Sequence, residues 1–252
     1  MHFSRLHIHA FALLALIGLS GSMASNMAIA GDKPAAPVVV ELFTSQGCSS
    51  CPPADALLTE WSHDPGVLVL SLHVDYWDYL GWKDTLSRPG HVKRQQAYAR
   101  STGSRQIYTP QAVIDGQYQV VGSNRAALKE AMQAARKDMR LALDVQRDAK
   151  GQPVAVKLPA HAGYIGEAVV WLCLFDRKRE VTIDRGENTG RSITYVNVAR
   201  SWQKLGLWDG GPADIPLPDL TDYDWRTGNG AILLQSTRGP IVGAAELGHR
   251  IN

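Results

Sequence analysis

The chain has 252 residues, of which 45% are hydrophobic, and a formal net charge of +2. Near-neutrality argues against a nucleic-acid partner, because binding to phosphates needs a clear excess of Lys and Arg. The length exceeds the usual domain size of about 100–150 residues, so two domains are expected.

The N-terminus has the pattern of a signal peptide. A weakly basic stretch at residues 1–9 precedes an apolar run at residues 10–19, and small residues follow as far as Ala28-Ile-Ala30. This pattern predicts a signal peptide over residues 1–30 and a periplasmic or secreted protein. The apolar run is shorter than the about 20 residues that span a bilayer, so we expect no integral membrane segment after cleavage.

The first half of the remaining chain alternates strand-like and helix-like segments after a linker at residues 31–37. The predicted elements are strand 38–43, helix 52–61, strand 67–74, helix 88–102, hairpin strands 112–114 and 118–121, and a helix that is capped by Ser123 and runs to about residue 138. The first three form a βαβ unit. This order predicts an α/β domain over residues 38–140.

After residue 140 the sequence consists of short β-like runs with no long helix predicted between them. These runs lie at residues 141–145, 154–158, 168–175, 181–183, 193–198, 232–236 and 241–245. Turn residues such as Gly and Pro separate them, which favours a sandwich-like sheet structure. The sequence therefore predicts a β-rich second domain over residues 141–252.

The cysteines carry the chemistry that the sequence suggests. Cys48 and Cys51 form a C-x-x-C pair directly before two prolines, whereas Cys173 lies in an apolar run and is expected to be a buried, inert thiol. At a helix start, the first sulfur faces solvent and free backbone N–H groups that stabilise a thiolate. Cys48 is thus the candidate nucleophile and Cys51 the resolving thiol.

Three interpretations of this pair stay open. Export favours thiol–disulfide exchange, because disulfides persist outside the cytosol. Copper(I) accepts two thiolates and an imidazole, which would make Cys48, Cys51 and His73 a ligand set, whereas a closed zinc site lacks enough ligands. In the third interpretation, the disulfide only staples a loop of an interaction protein.

Several side chains are expected near the cysteine pair, because parallel strands deliver their C-terminal ends to one edge of a sheet. Tyr76 and Trp77 are candidates for substrate binding, and the neighbouring aromatic residues could equally pack between domains. Glu41, His73 and Asp75 are candidates for proton transfer.

The order of strand, C-x-x-C, helix, strand, helix and Thr109-Pro110 before a hairpin resembles the thioredoxin fold over residues 38–139. The resemblance implies that Pro110 is cis and faces the cysteine pair, and that Thr109 presents its backbone to a substrate. Gly47 and the Ser-Ser pair between the cysteines depart from thioredoxin, which affects the expected redox potential.

A closer resemblance covers nearly the whole chain after the signal peptide. Four stretches carry it: residues 40–55, residues 73–78, residues 108–110 and residues 185–191. They resemble a family of secreted or periplasmic proteins catalogued as a domain of unknown function, and this implies a thioredoxin-like N-terminal domain without naming a reaction. We therefore expect a thiol–disulfide oxidoreductase that acts on protein or small-molecule thiols and needs no cofactor.

Overall fold

The structure, a computed structural model, describes residue 2 and residues 36–248. The chain divides into two compact units at residues 1–33 and 34–252, and the architecture described here belongs to the second. The predicted signal peptide and most of the predicted linker fall outside the described residues. No helix within residues 36–248 has the length and apolar character needed to cross a membrane.

The described chain contains more strand than helix. The helices are α1 (Pro52–Trp61), α2 (Pro89–Ser101) and α3 (Arg125–Ala135), with a short 3₁₀ helix at Asp78–Leu80. The strands are β1 (Val38–Thr44), β2 (Val67–His73), β3 (Gln111–Ile114), β4 (Tyr118–Val121), β5 (Leu141–Ala142), β6 (Asp144–Arg147), β7 (Pro153–Leu158), β8 (Ala168–Thr182), β9 (Ser192–Trp208), β10 (Ala213–Pro216), β11 (Gly228–Ser236) and β12 (Ile241–Glu246).

Nine strands form one mixed sheet in the order β4-β3-β1-β2-β9-β8-β11-β12-β5. β1 and β2 are parallel and β3 is antiparallel to β1, so the early strands occupy one end of the sheet. β9 continues the sheet beyond β2, with Val198 opposite Ser71. A second sheet has three strands in the order β10-β7-β6.

The predicted fold class, an α/β thioredoxin-like N-terminal domain followed by a β-rich, sandwich-like C-terminal domain, is wrong. β9, which forms a long antiparallel hairpin with β8, lies against the edge of β2 at which a separate α/β domain would end. Strands from both predicted domains consequently share the nine-stranded sheet. The boundary predicted between residues 140 and 141 lies between α3 and β5, inside one compact unit.

The alternation of side chains along β1 explains how one core spans both halves of the chain. Val38, Val40 and Leu42 face α1 and α3, where their neighbours are Leu58, Leu128 and Met132. The opposite face of the same strand presents Val39 and Phe43 to a cluster that includes Tyr98 of α2, Cys173 and Phe175 of β8, and Leu233 of β11. Because side chains alternate with a period of two, a strand buried on both faces reads as a continuous apolar run.

Most local predictions for the helices and strands are confirmed, although β9 runs ten residues beyond the predicted 193–198 and several other differences occur. Asn124, not Ser123, caps α3, because its side chain accepts a hydrogen bond from the N–H of Ala127 at 3.1 Å. β8 extends through the charged residues 176–180, which are half-buried or exposed and therefore lack a buried pattern. The short β10 was not predicted, since only alternate residues of it are partly buried.

Candidate functional site

The candidate site is a disulfide between Cys48 and Cys51 at the start of α1. The sulfurs are 2.11 Å apart and the Cα atoms 5.4 Å apart. β1 ends at Thr44, residues 45–50 form the cysteine loop, and Cys51 is the N-cap of α1. Pro52 suits the first helical turn because its fixed φ is helical and it lacks an N–H that would go unused. The βα connection thus positions the pair at the C-terminal end of β1.

The two sulfur-bearing residues are more enclosed than the sequence predicted. Cys48 is only 2% exposed and Cys51 is fully buried, whereas Ser49 and Ser50 between them are exposed. The Sγ of Cys48 lies 3.4 Å from the Oγ of Ser50. The expectation that the first sulfur faces solvent is therefore wrong, and a reaction partner needs the loop to open or needs to be small.

The start of α1 offers fewer free N–H groups than expected. Pro52 and Pro53 have none, and the N–H groups of Ala54 and Asp55 both donate to the carbonyl oxygen of Cys51, at 2.8 and 3.1 Å. The contribution of α1 to stabilising a thiolate therefore comes from the macrodipole of the helix.

Asp84 holds the cysteine loop from one side. Its Oδ2 accepts hydrogen bonds from the backbone N–H of Gln46 and from Nδ1 of His73, each at 2.8 Å. Its Oδ1 accepts from the N–H groups of Leu86 and Ser87 at 2.8 and 3.1 Å. Burial would raise the pKa of the Asp84 carboxyl, but the neighbouring imidazole and these hydrogen bonds outweigh burial and lower the pKa.

Asn188 holds the cysteine loop from the other side. It lies in the turn between β8 and β9, and its Nδ2 donates to the carbonyl oxygens of Gln46 and Cys48, both at 2.9 Å. The side chain is buried. The turn at residues 183–191, which contains the stretch 185–191 of the family resemblance, is therefore hydrogen-bonded to the cysteine loop.

The loop before the β3–β4 hairpin lies beside the cysteine loop. The Thr109–Pro110 peptide bond is cis, which confirms that prediction. Gly122 lies against both Pro110 and Ala54, since a Cβ added to Gly122 would be 3.2 and 3.3 Å from their Cβ atoms. The start of α1 and the cis-proline loop are consequently packed together.

The aromatic residues after β2 connect these loops. Nε1 of Trp77 donates to Oγ1 of Thr109 at 2.7 Å, and a Cβ added to Gly47 would approach the Cβ of Trp77 to 3.1 Å. Trp77 stacks on Tyr79, which is 76% exposed, with ring centroids 6.3 Å apart. Tyr76 is half-buried, and its hydroxyl donates to Oε1 of Gln95 at 3.3 Å. The structure thus brings Trp77 and Thr109 to the cysteine loop, as predicted.

A buried polar cluster lies close to the start of α1. Asp55 is buried, and burial raises the pKa of its carboxyl to about 7, although His73 opposes the shift. The ring of His73 packs edge-on against Tyr195 at 4.4 Å between centroids. Among the described residues, neither carboxylate oxygen of Asp55 nor Nε2 of His73 has a hydrogen-bond partner. The Asp55 carboxyl, with its pKa raised by burial, can therefore hold a proton or release it near neutral pH.

Asp55 is the functional candidate that the sequence interpretation missed. It follows Cys51 by four residues, and Cys51 already has helical backbone angles. Side chains at positions i and i+4 of a helix are neighbours. That spacing was the available signal, whereas the predicted proton-transfer acids, Glu41 and Asp75, lie on and after the strands.

The predicted proton-transfer residues on the strands lie in different surroundings. Glu41 is fully buried on the face of β1 opposite α1, and it pairs with Arg94 through Nε–Oε1 at 2.5 Å. It also accepts a hydrogen bond from the hydroxyl of Tyr98. Asp75 is half-buried after β2, and its backbone oxygen accepts from the N–H of Asp78 at 3.0 Å. Glu41 therefore joins a structural network.

The structure also bears on two further predictions, the burial of the third cysteine and the copper site. Cys173 is a free, buried cysteine, as predicted, and burial raises the pKa of its thiol well above the usual value. Within residues 36–248, no three His, Cys, Asp or Glu side chains form a group that could hold a metal ion. Cys48, Cys51 and His73 do not form such a group either.

Together, the fold and the site define a mostly β protein with a disulfide-bonded C-x-x-C pair at a helix start. Residues 39–235 match the model of a family described as a protein of unknown function (DUF1223). The chain belongs to this family, so the resemblance found in the sequence is confirmed at that level. No curated protein matches the chain.

Two solved structures are similar to the chain. The crystal structure of protein AGR_C_4864 from Agrobacterium tumefaciens is 33% identical, with a TM-score of 0.74, over 86% of this chain and 98% of that one. HBP35 of Porphyromonas gingivalis is 15% identical, with a TM-score of 0.55, over 84% of this chain and 74% of that one. The second likeness concerns the fold alone.

Proposed function

We propose that the protein is a periplasmic or secreted thiol–disulfide oxidoreductase that uses the Cys48–Cys51 pair. One observation carries the proposal: the disulfide joins two cysteines at the start of α1, beside the Thr109–Pro110 loop. A reacting pair needs both sulfurs within bonding distance and a helix N-terminus that favours a thiolate. The disulfide meets the first condition, and the dipole of α1 supports the second.

In the proposed oxidising direction, the thiolate of a partner attacks Sγ of Cys48. The Cys48–Cys51 bond breaks, Cys51 leaves as a thiolate, and Cys48 and the partner form a mixed disulfide. A second partner thiolate then attacks the partner sulfur and releases Cys48. The cysteine pair gains two electrons, the partner thiols become a disulfide, and the protons of those thiols pass to the two cysteines. The reverse sequence reduces a disulfide.

Asp55 is the proposed proton donor and acceptor for Cys51. With a pKa raised to about 7 by burial, its carboxyl is protonated in a large fraction of molecules at neutral pH. It can give its proton to the leaving thiolate of Cys51, one helical turn earlier, and take the proton back in the reverse reaction. A group with a pKa close to the ambient pH is suited to both directions.

The enclosure of the disulfide supports a small or loop-opening partner. Cys48 is almost inaccessible while Asn188 bonds to its carbonyl oxygen, and Trp77 packs on Gly47. A small-molecule thiol needs less displacement of these side chains than a folded protein does. Among the expected partner classes, we therefore favour small-molecule thiols, with a protein thiol requiring movement of the β8–β9 turn.

Equilibration of the oxidised protein with glutathione buffers tests the proposal, with the reduced fraction measured by mass spectrometry after alkylation. We expect a reversible couple above about −250 mV. A potential below about −300 mV, together with an unreactive Cys48, would contradict the proposal and indicate a structural disulfide.

Single-cysteine variants test the assigned roles. Cys51→Ser keeps the attacking sulfur and is expected to accumulate a mixed disulfide with glutathione, whereas Cys48→Ser is not. Cys173→Ala is the matched control, because this thiol is buried away from the disulfide and its substitution should leave the potential unchanged. Trapping by Cys48→Ser instead would reverse the roles.

A further inference from the structure

A second site lies between α2 and the face of the sheet. A cleft of about 550 Å³ separates one face of α2 from strands β8, β9 and β11. The helix contributes residues spaced along its length from Gly90 to Ser101, and the turn at residues 236–239 closes one end. This volume falls within the range of about 300–1,000 Å³ typical of sites for small molecules.

The floor of the cleft is largely apolar. It is formed by Val169, Trp171 and Trp202, and the exposed Ala97 of α2 faces them. The guanidinium carbon of Arg94 lies 4.2 Å from the ring centroid of Trp202, so this indole face is already covered. A flexible ligand can pack along the uneven floor. A flat ring suits the remaining space less well, because it needs a free indole face.

The charges around the cleft favour an anion. Among the residues that line it in the described chain, none is acidic, and three are basic. Arg94 is paired with the buried Glu41, and Arg238 donates to the carbonyl oxygen of Ile165 at 2.6 Å. Lys93 is exposed and, within the described residues, its ammonium group makes no ion pair or hydrogen bond. Arg238 keeps its charge because its acceptor is neutral, but it already donates to that carbonyl oxygen, whereas Lys93 can meet a ligand without giving up a bond within the described residues.

We propose that this cleft binds a fatty-acid-like carboxylate, with the carboxylate at Lys93 and the alkyl chain along α2. From Gly90 to Ser101 the helix rises about 16 Å at 1.5 Å per residue, so the cleft is long as well as apolar. An alkyl chain buries apolar surface along such a cleft, and the single free ammonium at one end meets a single carboxylate. This site does not depend on the chemistry of the disulfide.

Calorimetric titration of the full chain with dodecanoate, below its micelle concentration, tests the proposal. Dodecanol is the neutral probe of equal chain length. We expect saturable one-to-one binding of dodecanoate and binding of dodecanol that is at least about five-fold weaker, as expected for loss of one partly exposed ion pair. Absence of saturable dodecanoate binding, or equal affinity for the two probes, overturns the proposal.

Two variants place the ligand in this cleft. Lys93→Ala is expected to weaken dodecanoate binding about five-fold and leave dodecanol binding unchanged, whereas Lys129→Ala on the exposed face of α3 should change neither. Ala97→Trp fills the cleft from an exposed helix position that tolerates a large side chain, and it should abolish binding while circular dichroism and thermal unfolding stay those of the parent. Unchanged dodecanoate binding in Ala97→Trp overturns the assignment.

Discussion

At the scale of single residues, Asp55 makes a prediction about pH and stability. Its folded pKa of about 7 exceeds the unfolded value of 3.8, so the folded state holds the proton more tightly. Its contribution is complete below pH 3.8 and is lost as the pH rises to about 7. We expect Asp55→Asn to gain stability relative to the parent as the pH rises through this range, by on the order of 4 kcal/mol in total, because the amide cannot ionise.

Urea unfolding of both proteins at pH 4, 5, 6, 7 and 8 measures this difference. Comparison with the parent is needed because Asp115, with a pKa raised to about 7, and His91, with a pKa lowered to about 4, also titrate in this range and act in opposite directions. Asp222→Asn, the same substitution at an exposed position, is the matched control. A constant difference between Asp55→Asn and parent would place the Asp55 pKa in its ordinary range.

The sequence was informative about the site wherever residues are close along the chain. The spacing of Cys48 and Cys51 before two prolines predicted their position at a helix start, and the resemblance to the thioredoxin fold implied the cis bond at Pro110. Burial of Cys48 could not be predicted, because the side chain that covers the loop, Asn188, is 140 positions away. Tertiary contacts of that separation leave no local pattern.

At the scale of elements, the β8–β9 turn is hydrogen-bonded to the cysteine loop through Asn188. Asn188→Ala removes two hydrogen bonds to carbonyl oxygens of this loop, so we expect the stability to fall by about 1–3 kcal/mol and the disulfide to be reduced several-fold faster by dithiothreitol. Glu187→Ala, at the exposed neighbouring position, is the matched control. Equal reduction rates for Asn188→Ala and its control would show that the turn does not limit access.

The turn of the β3–β4 hairpin gives a prediction about a close backbone approach. Gly116 has φ +66°, and a Cβ added there would lie 2.3 Å from the carbonyl oxygen of Gly239. Gly103 has a similar φ of +73° with open space around it. Both changes to alanine are strained by φ, which costs about 1 kcal/mol, but only Gly116→Ala must also displace the facing turn. Thermal unfolding should therefore show a clearly larger loss for Gly116→Ala, and equal losses would contradict the close approach.

At the scale of the whole molecule, the individual strands were easier to predict than the sheet that they form. Apolar runs such as Val38–Thr44 and Val67–His73 show that a strand is buried, but not which strand lies beside it. The long pairing of β8 with β9 also passes through charged, exposed residues that carry no burial pattern. Two domains were expected from the length and from the change to β-like runs after residue 140, whereas strands from both halves of the chain join in one sheet.

The network around Glu41 connects β1, α2 and β11. Glu41 of β1 pairs with Arg94 of α2, and Arg94 also donates to Oε1 of Gln235 in β11 at 3.1 Å. Arg94→Leu would leave the fully buried Glu41 carboxylate without its partner, so we expect a loss of about 3–5 kcal/mol. Glu41→Leu alone should cost a similar amount.

The double variant Glu41→Leu/Arg94→Leu is expected to lose much less than the sum of the two single variants, because neither charge is then buried alone. Urea unfolding of the parent, both single variants and the double variant gives the coupling free energy. Arg125→Leu with Glu60→Leu is the matched control, since that pair is more than half exposed on both sides and should show coupling below about 1 kcal/mol. Additive losses at Glu41 and Arg94 would mean that β1 and α2 are held by apolar contacts, without a contribution from this ion pair.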